Sequence, residues 1–340
     1  EIVDVGRGKV DLEVPILPVS TASGLVRVDD ASDDVIFANQ SYTTPLAWFR
    51  ADGSGKVTPT ALVQKAPVDM SDVDVARHEA TSKDGTKVPY IAYGLKTVMA
   101  APNGKAPVWL TGYGGFSIDE SPVFRVASRA WIEQGGVVVV ATLRGGGEFG
   151  EAWHQAGMKT HKQNVFDDFI AVGDDLVKTK VTTPARLAIQ GGSNGGLLMG
   201  AALTQRPDLW KAVVAQVGYF DMLRYETKPN GAFNNTEYGT VKNEDDYKAL
   251  KAYSPYHHVK EGVKYPPTLF MTGANDPRVD PLHSRKMVAR LQAVGAQALL
   301  RTSGGTGHGR GTPLNARIAE SVDIDAFLFH ELGVTYKPVP

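Results

Sequence analysis

The sequence predicts an α/β chain: a mainly parallel sheet covered by helices on both sides, preceded by a short all-β stretch. Three observations carry this. From about residue 67 onward, apolar strand-type runs alternate with helical patterns, the order that builds parallel sheets. Several of those runs, Val137-Val138-Val139-Val140 most clearly, are nearly continuous stretches of β-branched or apolar residues, as expected of strands buried on both faces. Before residue 67, β-type runs recur at a spacing of roughly 8–12 residues between turn signals.

In chain order, the first runs are Leu12 to Leu17, Gly24 to Val28, Asp34 to Ala38, Ala47 to Arg50 and Lys56 to Leu62. They are parted by Ser23-Gly24, Asp29-Asp30 and Asp52-Gly53-Ser54-Gly55. Such spacing fits a sandwich, a barrel or a propeller blade. About four strands make one blade, and a blade alone cannot bury both its faces. Residues 1–66 are therefore expected to be a fragment of something larger, and residues 67–340 a second domain. The opening Glu1-Ile2-Val3-Asp4 has neither Met nor a signal-peptide pattern, which suggests a start inside a longer protein.

In the second domain, strands are expected at Val73 to Ala80, Lys87 to Tyr93, Ala106 to Leu110, Gly136 to Thr142, Arg186 to Gln190, Ala212 to Val217 and Pro267 to Thr272, with a strand-like run at Ala298 to Arg301. Lys83-Asp84-Gly85-Thr86 between the first two is a hairpin turn, so the sheet starts antiparallel. Helices are expected at Phe124 to Glu133, Phe166 to Thr179, Gly196 to Gln205, Leu282 to Val294 and Asn315 to Leu332. In the last, Ile318, Val322, Ile324, Phe327, Leu328 and Leu332 recur near the helical period.

Composition narrows the function. The 340 residues are 42% hydrophobic and 21% charged, with a net charge of −1 and no basic block, so nucleic acid and anionic membranes have no electrostatic support as partners. There is no Cys, which removes disulfides, thiolate metal sites and a cysteine nucleophile together. Apolar runs such as 135–143 fall far short of the ~20 residues a membrane helix needs. A soluble protein, cytoplasmic or periplasmic, is expected. No metal-ligand spacing appears and no cofactor is implied. Gly145-Gly146-Gly147 lacks the following Lys-Ser/Thr of a phosphate loop. Asp167-Asp168 and Asp174-Asp175 lie on a helical pattern and read as solvated or ion-paired faces.

The chemistry centres on Arg186 to Gly200. Leu187 to Ile189 reads as a strand, Leu197 to Leu203 as a buried helix, and Gly191-x-Ser193-x-Gly195 as the sharp turn that pushes a nucleophile out at a sheet end. A hydroxyl needs a base to take its proton and a third group to orient that base. Of the histidines after Ser193, His308 sits in a glycine-rich loop between a strand-like run and the last helix. His283 and His330 lie in helical patterns, where surface or packing roles are expected, and His257-His258 reads as structural. Asp276 lies in the loop that begins where Pro267 to Thr272 ends. Its competitor Asp280 precedes Pro281 at a helix start and reads as an N-cap, while Asp276 also suits an Asx turn. Ser193, Asp276, His308 is the order expected of a catalytic triad in this arrangement. The backbone N–H of Asn194 would be one oxyanion donor. The other is expected from Thr111-Gly112-Tyr113-Gly114-Gly115-Phe116 after an earlier strand, where Tyr113 is either a hydroxyl donor or a glycine-cushioned core tyrosine.

Tyr113-Gly-Gly-Phe116, Arg144-Gly-Gly-Gly-Glu-Phe-Gly150, Lys162-Gln-Asn-Val-Phe-Asp-Asp168, Gly191-Gly-Ser-Asn-Gly-Gly196, Arg206-Pro-Asp-Leu209, Tyr253-Ser-Pro-Tyr256 and Asp276-x-Arg278-Val279 occur in the order of the prolyl oligopeptidase family of serine peptidases, which residues 67–340 resemble nearly throughout. The resemblance implies an α/β-hydrolase domain capped by a seven-bladed β-propeller. Residues 1–66 then resemble its last blade, and the missing propeller-containing part is implied as a companion chain. It further implies cleavage of short peptides on the carboxyl side of proline. Tyr113 would be the side-chain oxyanion donor, Arg278 would bind a substrate carbonyl upstream of the scissile bond, and Phe116, Asn194, Tyr238 and Val279 would surround the S1 pocket. Two positions depart from the family pattern. Asn234, beside Phe233, stands where prolyl-specific members carry a tryptophan, and Tyr219 stands in place of a small aliphatic residue. Either aromatic would restore a face for the proline ring, or the pocket prefers another residue. An esterase, a dipeptidyl- or acylaminoacyl-peptidase, or a catalytically silent fragment are the alternative readings.

Overall fold

A computed structural model describes residues 2–4, 9–12, 16–228, 230–305, 307–309 and 312–338. The chain divides into two compact units, Glu1–Val75 with Ser121–Ala130, and Ala76–Glu120 with Trp131–Pro340.

In the first unit, β1 (Ile2–Asp4) and β2 (Lys9–Leu12) pair antiparallel. The run expected at Leu12 to Leu17 falls largely on residues 13–15, outside the described residues. β3 (Ser20–Arg27), β4 (Val35–Ser41), β5 (Ala47–Ala51) and β6 (Val57–Val63) form a four-stranded antiparallel sheet in sequence order, which fits one propeller blade. Its inner strands carry the buried side chains, with Phe37 stacked on Phe49 at 5.8 Å. The outer strands leave Leu25, Val26, Leu62 and Val63 exposed.

The second unit is built on an eight-stranded sheet. Its strands are β7 (Val73–Thr81), β8 (Lys87–Leu95), β9 (Val108–Gly112), β10 (Val137–Ala141), β11 (Leu187–Gly192), β12 (Ala212–Gln216), β13 (Thr268–Gly273) and β14 (Ala298–Ser303), in the spatial order β14-β13-β12-β11-β9-β10-β8-β7. β8 runs antiparallel to β10, and every pair from β10 through β9 and β11 to β14 is parallel. This is the mostly parallel, helix-flanked sheet of an α/β-hydrolase. The carboxyl ends of β9, β11, β12, β13 and β14 thus share one edge, where ligand sites of parallel sheets form.

The helices are α1 (Lys96–Met99), α2 (Ser128–Ile132), α3 (Glu151–Gln155), α4 (Gln163–Lys178), α5 (Asn194–Gln205), α6 (Asn235–Tyr238), α7 (Glu244–Tyr253), α8 (Pro255–His258), α9 (Leu282–Ala293) and α10 (Leu314–Glu331). α4 turns Val165, Phe166, Phe169, Val172 and Leu176 into the core, a stripe at helical spacing. α5 is buried from Asn194 to Leu203, consistent with its unbroken apolar and small residues. The core beneath them is the run Val137–Val140, none of it more than 2% exposed.

One helix expectation is corrected, and one longer helix is added. The pattern at Phe124 to Glu133 yields only α2, because a turn closed on the Arg125 carbonyl by the Ser128 N–H (3.1 Å) and hydroxyl (2.7 Å) replaces the first helical turn. α7 was not expected at all. Its start is set by Asn243, whose Oδ1 accepts from the N–H groups of Asp245 and Asp246 at 3.0 Å each.

Candidate active site

Ser193 follows β11 directly and leads into α5, with φ 60° and ψ −119°, a left-handed conformation that costs energy in a non-glycine residue. The surroundings hold it there. Its N–H donates to the Gln216 carbonyl at 2.9 Å, and its own carbonyl accepts from the Gly196 and Leu197 N–H groups at 2.9 and 3.1 Å. The crossing is too close for side chains: a Cβ on Gly196 would lie 2.4 Å from the Gln216 carbonyl oxygen. Sequence and conformation are thereby matched, since only glycine lets β12 approach the turn this closely.

Asp276 lies in the loop after β13, and His308 in the loop after β14. His308 Nε2 is 2.9 Å from Ser193 Oγ, and His308 Nδ1 is 2.7 Å from Asp276 Oδ2. A carboxylate facing Nδ1 holds the proton on that nitrogen and leaves Nε2 free to accept from the serine. The other carboxylate oxygen, Oδ1, accepts from the N–H groups of Arg278 (2.9 Å) and Val279 (3.0 Å). Asp276 thus makes an Asx turn and faces the imidazole at once. Asp280 instead receives the Leu282 N–H at 2.8 Å at the head of α9 and pairs with Lys228 at 3.2 Å. His283 is buried behind the pocket, and His257 is bonded to Ser254 Oγ at 2.8 Å. Among the described residues, no group of three His, Cys, Asp or Glu side chains is arranged to hold a metal ion.

Tyr113 follows β9, the neighbour of β11. Its half-buried phenol meets the Ser193 side chain and the backbone N–H of Asn194, and burial, foremost, raises its pKa. At neutral pH it therefore keeps its proton and is a donor. The side chain of Asn194 is tied at both ends: its amide donates to the Tyr113 carbonyl, and its oxygen accepts from the Tyr238 hydroxyl at 3.0 Å. Beneath this loop lies a buried ion pair that the sequence does not announce. Lys162 Nζ donates to the Gly114 carbonyl at 3.0 Å and to Glu237 Oε1 at 2.8 Å. Glu237 Oε2 is 2.9 Å from His154 Nε2. Lys162 opens one of the motifs of the family resemblance, but nothing local shows its pairing with Glu237, because the two are 75 residues apart in sequence.

A cavity of about 340 Å³ opens beside Ser193 and His308, within the roughly 300–1,000 Å³ usual for small-ligand sites. Its walls include Phe116, Tyr219, Tyr238 and Val279. Phe116 and Tyr219 meet the Tyr238 ring edge-on at 5.5 and 6.1 Å, geometry that fixes aromatic side chains in place. Tyr219 donates to the Arg278 carbonyl at 2.7 Å and accepts from Asn234 Nδ2 at 3.1 Å. Its hydroxyl pKa is pushed up to about 12, chiefly by burial. Phe233, 80% exposed, and the exposed Arg278 also line the cavity, as do Ile118 and Asn230, which the sequence did not suggest. A second cavity of about 260 Å³ also touches Ser193 and His308 but has the polar side chains Gln216, Thr272, Ser303 and Glu320 in its wall. The aromatic cavity is the better fit for an apolar ring.

A sequence profile of the prolyl oligopeptidase family matches residues 122–335. The chain is 39% identical over 334 residues to a prolyl endopeptidase of Elizabethkingia miricola, covering 96% of this chain and 46% of that protein. To a prolyl endopeptidase of Dictyostelium discoideum it is 44% identical over 260 residues, covering 74% and 34%. Among solved structures, it matches one from a mechanistic study of two prolyl endopeptidases with TM-score 0.91 and 45% identity, over 97% of this chain and 49% of that one. It matches a post-proline cleaving enzyme from Rickettsia typhi with TM-score 0.83 and 31% identity, over 93% and 45%. The chain spans less than half the length of each of these relatives.

Proposed function

The chain belongs to the prolyl oligopeptidase family, and from that premise we propose that it is the catalytic part of a serine endopeptidase that hydrolyses short peptides after proline through an acyl-enzyme. The observation that carries this reading is the continuous bonding line from Asp276 through His308 to Ser193 Oγ.

Ser193 Oγ attacks the scissile carbonyl carbon while its proton passes to His308 Nε2. Asp276 stabilises the resulting imidazolium through Nδ1–H. The charge that develops on the carbonyl oxygen is received by the Asn194 N–H and the Tyr113 hydroxyl. The C–N bond then breaks, His308 returns its proton to the leaving amine, and the acyl group stays on Ser193. In the second half, His308 takes a proton from water, which attacks the ester and frees the carboxylic acid and the serine.

The pocket supports a proline ring at the residue before the scissile bond. Asn234 has its amide committed to the Tyr219 hydroxyl, so the apolar faces come from Phe116, Tyr219 and Tyr238, with Phe233 at the mouth. Arg278 is suited to bind an upstream substrate carbonyl. Residues 1–66 are read as the last propeller blade and 67–340 as the hydrolase domain, so activity on peptides is proposed for this chain together with the propeller part that its relatives' length implies.

Ser193→Ala should abolish both hydrolysis of a blocked glycyl-proline substrate and labelling by a fluorophosphonate. Hydrolysis that survives the substitution would sink the assignment. Cleavage of free-amine dipeptides or aryl esters in preference to the blocked peptide would keep the triad but reject the endopeptidase reading.

A further inference from the structure

We propose that Lys162 is a positioning residue for the oxyanion pocket, its buried ammonium fixing the Gly114 carbonyl and with it the hydroxyl of Tyr113. The inference rests on the acyl-transfer reading of Ser193.

Two consecutive carbonyls of the turn are clamped by side-chain donors: that of Tyr113 by Asn194 Nδ2 and that of Gly114 by Lys162 Nζ. The turn is pressed onto both donors, since a Cβ on Gly115 would stand 2.6 Å from Asn194 Nδ2 and 2.9 Å from Lys162 Nζ. Lys162 reaches the second oxyanion donor as well. Its ammonium lies 5.4 Å from the Tyr238 ring centre, and the Tyr238 hydroxyl holds the Asn194 side chain. Glu237, the residue before Tyr238, balances the charge, and each of its oxygens has a partner. Lys162 and Glu237 are 1% and 3% exposed. A pair so buried pays a desolvation cost that an apolar pair would not, so stability alone is a poor reason for it. What the ammonium provides that an apolar residue cannot is a charged donor aimed at one carbonyl of the turn that carries Tyr113.

The test compares Lys162→Met, Glu237→Gln and the double variant in the full chain, with active sites counted by fluorophosphonate titration. Methionine keeps the apolar stem, and the double variant leaves no unpaired carboxylate, so it is the one expected to fold. Relative to Glu237→Gln, the double variant should lose about 10–100-fold in kcat. KM should stay within about 3-fold, because an interaction made in the transition state is the one removed. Affinity for a peptide aldehyde, which forms a tetrahedral adduct with Ser193, should fall in parallel with kcat/KM. A double variant that turns over as fast as Glu237→Gln would overturn the assignment of Lys162, provided Ser193→Ala is inactive in the same assay. Hydrolysis retained by Ser193→Ala would instead remove the acyl-transfer reading itself.

Discussion

His283 ties the acid stability of the chain to its substrate pocket. It is 6% exposed, its ring meets Tyr219 edge-on at 5.0 Å, and its Nδ1 accepts from the N–H groups of Phe220 and Asp221, both at 3.2 Å. Protonation would turn that acceptor into a donor facing two donors. Burial lowers the His283 pKa to about 4, with Asp221 and Asp280 opposing and Lys286 and Lys228 assisting. Because the folded value lies below the unfolded one, stability is intact above the unfolded pKa near 6.5. It then falls as pH drops toward the folded value, by roughly 3 kcal/mol at pH 4. The thermal midpoint of the wild type should therefore drop more steeply between pH 7 and pH 4 than that of His283→Gln; equal slopes would contradict it. The residues of the site differ in how well a sequence announces them. Ser193, Asp276 and His308 each follow a strand in a turn-rich loop, and their order along the chain is itself a signal. Tyr113 is marked by its flanking glycines. Lys162 stands in a motif, but its pairing with Glu237 carries no such mark, because burial and pairing across the fold exist only once the chain has folded.

Arg144 joins three elements that the sequence shows separately. In the loop after β10, it donates from its backbone N–H (3.1 Å) and guanidinium (2.6 and 2.9 Å) to Asp168 of α4, a side chain with no exposure. The same guanidinium reaches Asp84 and Ser82 at the turn between β7 and β8. That turn is the hairpin expected from Lys83-Asp84-Gly85-Thr86, closed by the Ser82 N–H on the Thr86 carbonyl at 2.8 Å. Arg144→Ala would leave Asp168 charged and buried, and should cost about 3–5 kcal/mol. Arg144→Lys should recover less than half of that loss, since an ammonium cannot reproduce the planar fork. Denaturant midpoints at constant slope measure both. Activity should fall as well, because the Gly145 carbonyl of this loop accepts from Ser117, just beyond the Tyr113 turn. At this scale the parallel strands were the most legible part of the chain, since burial on both faces makes them continuous apolar runs. α7 was not, because three acidic residues open it and only Leu250 and Tyr253 are buried, leaving a faint apolar stripe. α2 was overextended for the opposite reason: an apolar helical pattern cannot show that its first turn is closed differently.

At the scale of the whole molecule, the described residues of the first unit leave the outer strands of its four-stranded sheet largely uncovered. A strand of an antiparallel sheet ordinarily buries one of its faces. No residue of β6 is buried, and β3 leaves Leu25 70% and Val26 60% exposed, while Leu62 and Val63 of β6 are 63% and 58% exposed. β3 and β6 are also the two edges of the sheet, each with a row of backbone groups available for pairing. Relatives of this chain are more than twice its length, and in the proposed reading the additional length supplies neighbouring propeller blades against which these faces pack. A polypeptide carrying those blades should therefore copurify with this chain and raise both its thermal midpoint and its turnover of peptides. Leu25→Glu and Leu62→Glu should each weaken that association by about 10-fold or more, since burying one leucine is worth roughly 1.5–3 kcal/mol and burying a lone carboxylate is unfavourable. Sedimentation of labelled chain against increasing companion measures the affinity, and triad labelling by a fluorophosphonate checks that the second unit is intact in each variant. A monodisperse chain of 340 residues with full peptidase activity and no companion would show that these faces are tolerated bare, and the propeller reading of residues 1–66 would fall with it.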